Sequence, residues 1–260
     1  KYFKIAPKFK NDSLMTIQEE HQIVISSQII EVLYLKNSKS FFFSIMNHLM
    51  KFKDVAIDII YPLSFFSHFY CSIVSGINYH HSSNISIFLT FIDFNENSIN
   101  DLSSEQLQYV KKITFSKSIE EIPDDKLQKF KKVERIIFEI PSSITNLKKY
   151  EFRELSELSQ IAIPPSVKTI GANAFFKCSS LKQIILNHSL TQIGACAFKN
   201  CISLTGISIP PSIKVIEFET FESCSSLINV TIPSSVDSIN KGAFKKCTSL
   251  TEIILPKSIK

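Results

Sequence analysis

The 260 residues are 44 % hydrophobic and 20 % charged, a balance that excludes a mainly disordered chain. The net charge of +5 comes from lysines scattered among glutamates, with only two arginines, Arg135 and Arg153. Without an arginine cluster for phosphate or base contacts, nucleic acid is not an expected partner.

Residues 1–100 come first and show no regular pattern. The chain opens on Lys1, with no basic-then-apolar leader behind it. Ile23, Ile25, Ile29 and Val32 give a faint echo of a spacing that becomes regular later. Between Ile59 and Ile92 there is no Asp, Glu, Lys or Arg. A membrane helix needs about 20 mainly apolar residues. Pro62, His68 and several serines interrupt this stretch, so a span is not expected, and Ile85–Asp93 reads as a buried strand.

The six histidines, His21, His48, His68, His80, His81 and His188, form no HExxH, and the chain has no GxSxG, P-loop or GxGxxG. The adjacent His80 and His81 could hold a metal only with ligands from elsewhere. No catalytic, cofactor or metal residue is therefore assigned. The rival reading makes this first segment a membrane anchor or small catalytic module displayed by a structural repeat array.

From residue 101 that repeat emerges. Ile113, Phe115, Ser118, Ile119, Ile122, Leu127, Phe130 and Val133 form a degenerate unit. Phe138, Ile140, Pro141, Ser143, Ile144, Leu147, Phe152, Leu155 and Leu158 form a second, with two additional residues near 136–140 between them. Over 161–252 four units follow without a slip. Their columns advance by 23: Ile161, Ile184, Ile207, Val230; Ile170, Ile193, Ile216, Ile239; Phe175, Phe198, Phe221, Phe244; Cys178, Cys201, Cys224, Cys247; Leu181, Leu204, Leu227, Leu250. A further unit opens at Ile253 and stops at Lys260, so a chain cut from a longer array is the expectation.

Ile-x-Ile has the two-residue alternation of a strand, and the proline after it cannot donate to a ladder. Ser166, Val167 and Ile170 then turn the chain. Ala174, Phe175, Cys178 and Leu181 have the spacing of a short helical or 3₁₀ segment. One such unit cannot bury its apolar column, but stacked units share a continuous core. The fold class is thus an α/β repeat solenoid: one short parallel strand per coil, with short helical or 3₁₀ segments opposite. Residues 101–160 are its degenerate units, 161–252 its regular ones and 253–260 a truncated one; 1–100 can cap its first coil.

The unit Ile-x-Ile-Pro-x-Ser-Val-x-x-Ile-x-x-x-x-Phe-x-x-Cys-x-Ser-Leu resembles the BspA-type leucine-rich repeat. The match is good over 136–260 and weak over 101–135. The resemblance implies a right-handed, leucine-rich-repeat-like coil with its strands on a concave face, working in adhesion or protein binding, often at a cell surface. An intracellular scaffold is the alternative. Phe130 and Leu155 stand where the unit has Cys, Asn187 where it has Pro, and Glu217 where it has Gly.

The evenly spaced cysteines read as a reduced ladder, since free Cys packs as a small hydrophobe and these lack the close pairs of a zinc site. Cys71 and Cys196 fall outside it. Four sequons, at Asn11, Asn84, Asn187 and Asn229, arise easily in a chain rich in Asn and Ser. The candidate binding residues are the outward columns of the strands: Gln160, Gln183, Gly206, Asn229 and Glu252, and beside them Ala162, Ile185, Ser208, Thr231 and Ile254. Nearly uncharged, they suit a protein, peptide or glycan partner.

Overall fold

The computed structural model describes residues 22–26, 55–62, 85–93, 106–122 and 127–259. The chain forms two compact units, residues 1–114 and 115–260.

In the first unit, β1 (Gln22–Ser26), β2 (Val55–Pro62) and β3 (Ile85–Asp93) run parallel. Gln22 pairs with Ala56 and Val55 with Ile85, and the register shifts at Pro62, which has no N–H to donate. The strand read at Ile85–Asp93 is present, and the echo at Ile23 and Ile25 lies in β1. His21, His48, His68, His80 and His81, Cys71 and the sequons at Asn11 and Asn84 lie outside the described residues. Among the described residues no helix is long and apolar enough to cross a membrane. A 3₁₀ turn at Gln106–Tyr109 leads into β4 (Val110–Phe115), where Val110, Ile113 and Phe115 are buried.

The second unit is a stack of coils with two strand ladders. The first contains β5 (Arg135–Phe138), β7 (Gln160–Ala162), β9 (Gln183–Ile185), β11 (Gly206–Ser208) and β13 (Asn229–Thr231). The second contains the two-residue strands β6 (Asn146–Leu147), β8 (Thr169–Ile170), β10 (Gln192–Ile193), β12 (Val215–Ile216) and β14 (Ser238–Ile239). Every pairing is parallel, and among the regular coils the register advances by the repeat, as in Ile161↔Ile184 and Ile207↔Val230. The Ile columns point inward because a strand alternates its faces.

One strand differs from its expected register. The spacing points to Phe138 and Ile140 as counterparts of Ile161 and Ile163, but Ile136 pairs with Ile161. Ile136 and Phe138 are buried and Ile140 is 74 % exposed. Since Leu147 pairs with Ile170 at the regular spacing, the two additional residues lie after the strand and not before it. Ile136, Phe138 and Ile140 all fit a period of two, and only pairing selects among them.

A second difference concerns the side opposite the first ladder. In the regular coils the expected helical or 3₁₀ segment is a chain of turns. Ala174, Phe176 and Cys178 donate within the coil to Gly171, Asn173 and Phe175. The amides between them, of Asn173, Phe175 and Lys177, donate to the next coil at Ala195, Ala197 and Lys199. A helix, past its first turn, would bond successive amides internally and offer none in alternation to a neighbouring coil. Left-handed φ angles at Asn173 and Lys177, repeated at Cys196 and Asn200 and at Glu219 and Ser223, turn alternate N–H groups outward and prevent it. A genuine 3₁₀ turn occurs in the degenerate unit, at Leu127–Lys129.

Inside this wall Phe152, Phe175, Phe198, Phe221 and Phe244 stack with centroids 5.1–5.4 Å apart. The first four are fully buried.

Both strand ladders are interrupted at one place, between the coil of β9 and β10 and the coil of β11 and β12. Lys168, Thr191 and Asp237 donate their amides to the preceding coil, as do Gly171, Gly194 and Asn240. Lys214 and Glu217, in the corresponding columns, make no such bond. Gly171 and Gly194 are needed for close approach: a Cβ would lie 2.5 Å from the Lys148 carbonyl carbon and 2.6 Å from the Ala172 nitrogen. Glu217 is the first of the regular units to carry a Cβ in that column, and there the coils part. Asn240 also carries one and keeps its bond to Ile216, so the opening belongs to this junction in particular.

Candidate binding face

Eight of the ten candidate residues stand on the first ladder. Gln160 is opposite Gln183 and Ala162 opposite Ile185; Gly206 is opposite Asn229 and Ser208 opposite Thr231. Gln160, Ala162, Gln183, Ile185, Ser208, Asn229 and Thr231 are exposed, and Gly206 is half-buried. Glu252 and Ile254 are exposed too but lie outside any strand, beyond β13. The two columns therefore form one surface in two halves, divided where the ladder opens between β9 and β11. Gly206, without a side chain, stands beside that division. A Cβ there would make only ordinary contact, 3.5 Å from the Asn229 carbonyl oxygen, so the backbone does not require glycine.

Between Gln160 and Thr231 the face carries little charge and one large exposed apolar side chain, Ile185 at 58 %, with Ile137 on β5 and Ile254 past β13 exposed at either end. Such a surface offers amide and hydroxyl groups around an apolar centre, the pattern of a protein contact and not of a phosphate site. The Asn229 sequon stands on it. Asn187 is instead committed to structure: its amide donates to the carbonyls of Pro164 and Val167, and its oxygen accepts from the Ser189 amide. It thereby bonds back to the preceding coil at the position where other units have proline. His188, in the same turn, is exposed.

The cysteine ladder lies inside the wall of turns. Cys178, Cys201, Cys224 and Cys247 are free and buried, and each thiol donates to the carbonyl of Phe152, Phe175, Phe198 or Phe221 in the preceding coil at 3.0–3.2 Å. Those carbonyls also accept an amide of their own coil, so the thiols occupy the second lone pair. Burial pushes the Cys178 thiol up to about 12 and raises Cys201 and Cys224 likewise, which keeps them protonated donors and poor nucleophiles. Cys196 is half-exposed on the same wall.

The wall also carries charge clusters that repeat spacing does not reveal. The ammonium of Lys199 lies 2.5 Å from Glu219 and 2.6 Å from Glu222, and Lys245 reaches Glu222 at 3.1 Å. Hydrogen bonds donated to both carboxylates hold Lys199 above the ordinary lysine range. A signal exists in the columns, Lys199, Glu222 and Lys245 being 23 apart, but nothing in spacing says which charges meet. No group of three or more metal-ligating side chains occurs among the described residues.

The BspA type leucine rich repeat region matches residues 77–183 and 145–260, in six copies. The chain belongs to this family. The family match begins upstream of residue 101 and takes in the residues of β3. Two solved structures agree with the fold. A leucine-rich repeat protein of T. pallidum is 21 % identical, with a TM-score of 0.54 over 77 % of this chain and 80 % of that one. A leucine-rich repeat protein of Bacteroides ovatus is 28 % identical, with a TM-score of 0.54 over 58 % of this chain and 39 % of that one. No curated protein matches the chain. The BspA-type array is a parallel β-solenoid of the leucine-rich-repeat kind, a class of protein-interaction and surface modules that are generally non-enzymatic scaffolds.

Proposed function

We propose that this BspA-type array works by recognition and not by catalysis, with the strand face from Gln160 to Thr231 as the surface that meets a protein or peptide. The reading rests on one observation: two outward columns, in register within each half of the ladder and nearly free of charge, include the exposed Ile185. Burying an apolar side chain ringed by amides and hydroxyls is how a protein interface gains affinity without a charge match. The finer form of the proposal takes from the family a right-handed coil, a concave strand face and a place at a cell surface, in adhesion.

The test is a photo-crosslinker at Ser208, compared with the same group at Lys168 away from the face. Partners captured from Ser208 alone support the reading, and Ser208→Arg with Thr231→Arg should then weaken their binding by at least about tenfold. If this folded double variant binds every captured partner as before, the face is only a solvated sheet.

A further inference from the structure

Outside the strand face, the clearest binding chemistry lies on the wall of turns, where side chains of two successive coils form an alternating row of cations and rings. Tyr150 and Glu154, both at left-handed φ, flank Arg153, and one coil later Phe176 and Lys177 stand in the columns of Arg153 and Glu154. The Arg153 guanidinium lies 5.3 Å from the Tyr150 ring and 5.7 Å from the Phe176 ring. Lys149 stands 4.7 Å from Tyr150, and Lys177 5.2 Å from Phe176. The order is Lys149, Tyr150, Arg153, Phe176, Lys177. Cation–ring contacts of this kind hold long side chains in place at a surface.

The charge in this row is unbalanced. Glu154 accepts from Arg153 at 3.2 Å and lies 3.6 Å from Lys177 and 3.8 Å from Lys131. Lys149 has no carboxylate partner among the described residues. Three cations therefore share one carboxylate, and Lys149 stands beside them without one. Two coils further the same wall matches its charges, Lys199 and Lys245 against Glu219 and Glu222, so the excess is a local feature.

We propose that the row Lys149–Tyr150–Arg153–Phe176–Lys177 is a docking surface for an acidic peptide segment of a protein partner, separate from the strand face. Glu154 shows within the chain what fits: a planar carboxylate on the guanidinium edge with ammonium groups beside it. The rings hold Arg153 by its faces, Nε is buried, and Glu154 takes one N–H of a terminal nitrogen, which leaves the other terminal N–H groups of this part-exposed side chain for a second carboxylate. Arg153 is 42 % exposed and Lys177 53 %. An extended segment with acidic residues at alternate positions presents its carboxylates on one side, toward such a row.

The test is fluorescence anisotropy on the full chain with a labelled peptide alternating Glu and Ala, its Gln counterpart and a heparin-type oligosaccharide as competitor. The Glu peptide should bind and the Gln peptide should not. Lys149→Gln with Lys177→Gln should weaken binding about tenfold, and Arg153→Lys, which keeps the charge but loses the planar fork, by several-fold. Lys168→Gln with Lys182→Gln, an equal charge change on exposed lysines elsewhere, should weaken it less than about twofold. Equal losses in the two pairs would reduce the effect to net charge and overturn the proposal. So would failure of the Glu peptide to bind, or binding only of the sulfated sugar.

Discussion

The glycines separate close approach from mere smallness. At Gly171 a Cβ would meet backbone atoms at 2.5 Å, and backbone cannot swing aside as a side chain can. Gly171→Ala should destabilise the array by about 1–3 kcal/mol, read from the urea midpoint. Gly206→Ala, with ordinary contacts only, should change it by less than about 0.5 kcal/mol. Equal costs would mean that the coils relax freely at Gly171. The thiols divide in the same way. In a Cys71→Ser background a maleimide should modify Cys196 first and reach Cys178, Cys201, Cys224 and Cys247 only on unfolding, because the ladder is buried and its thiols are held protonated. Rapid modification of any ladder thiol in the native protein would contradict the packing. The columns of Phe, Cys and Leu are legible in the sequence because identical residues recur. The left-handed φ angles are not, since Tyr150, Glu154, Asn173 and Lys177 share no chemistry that announces them.

Among elements, the strands follow from Ile-x-Ile, whereas the turns imitate a helix in sequence because both place every third residue on one side. What distinguishes them is the destination of alternate amides, which depends on a neighbouring coil. The Phe138 slip has the same origin. Charge pairing between coils carries a prediction in pH. The Lys199 ammonium, bonded to Glu222, lowers that carboxyl to about 2 against the opposing effect of burial, with help from Lys245. A depressed carboxyl contributes stability above its unfolded value of about 4.3, and loses it as pH falls toward 2. Glu222→Gln should therefore cost about 2 kcal/mol near neutrality, with the difference from the parent shrinking below about pH 4. A pH-independent difference in urea stability would show that packing, and not charge, is what Glu222 supplies.

At the scale of the whole array, each coil touches only its neighbours, so cooperativity must pass through every junction in turn. The junction between the coils of β9 and β11 has lost both strand ladders. It keeps three amide bonds of the turn wall, from Cys196, Phe198 and Asn200 to Phe218, Thr220 and Glu222, one from Ser226 to Ile202 at 3.2 Å, and a longer one from Thr205 to Lys182 at 3.4 Å. Beside them stand the Phe198–Phe221 stack at 5.4 Å, the Cys224 thiol on the Phe198 carbonyl, and the Lys199 ammonium on Glu219 and Glu222. The Phe column thus carries more of the coupling here than elsewhere. Truncating a buried Phe costs about 3–5 kcal/mol wherever it lies, but the consequence should depend on place. Phe175→Ala sits between coils whose strands still pair, and should lower the stability of the array while leaving a single unfolding transition. Phe198→Ala should split unfolding in two, with amides beyond Gly206 exchanging at a lower denaturant concentration than those of Gln160–Ile193. Hydrogen exchange across a urea series resolves the two halves. Coincident transitions in both variants would mean that the remaining amide bonds and the Lys199 ion pairs suffice to couple the coils, and that the break in the ladders has no energetic consequence.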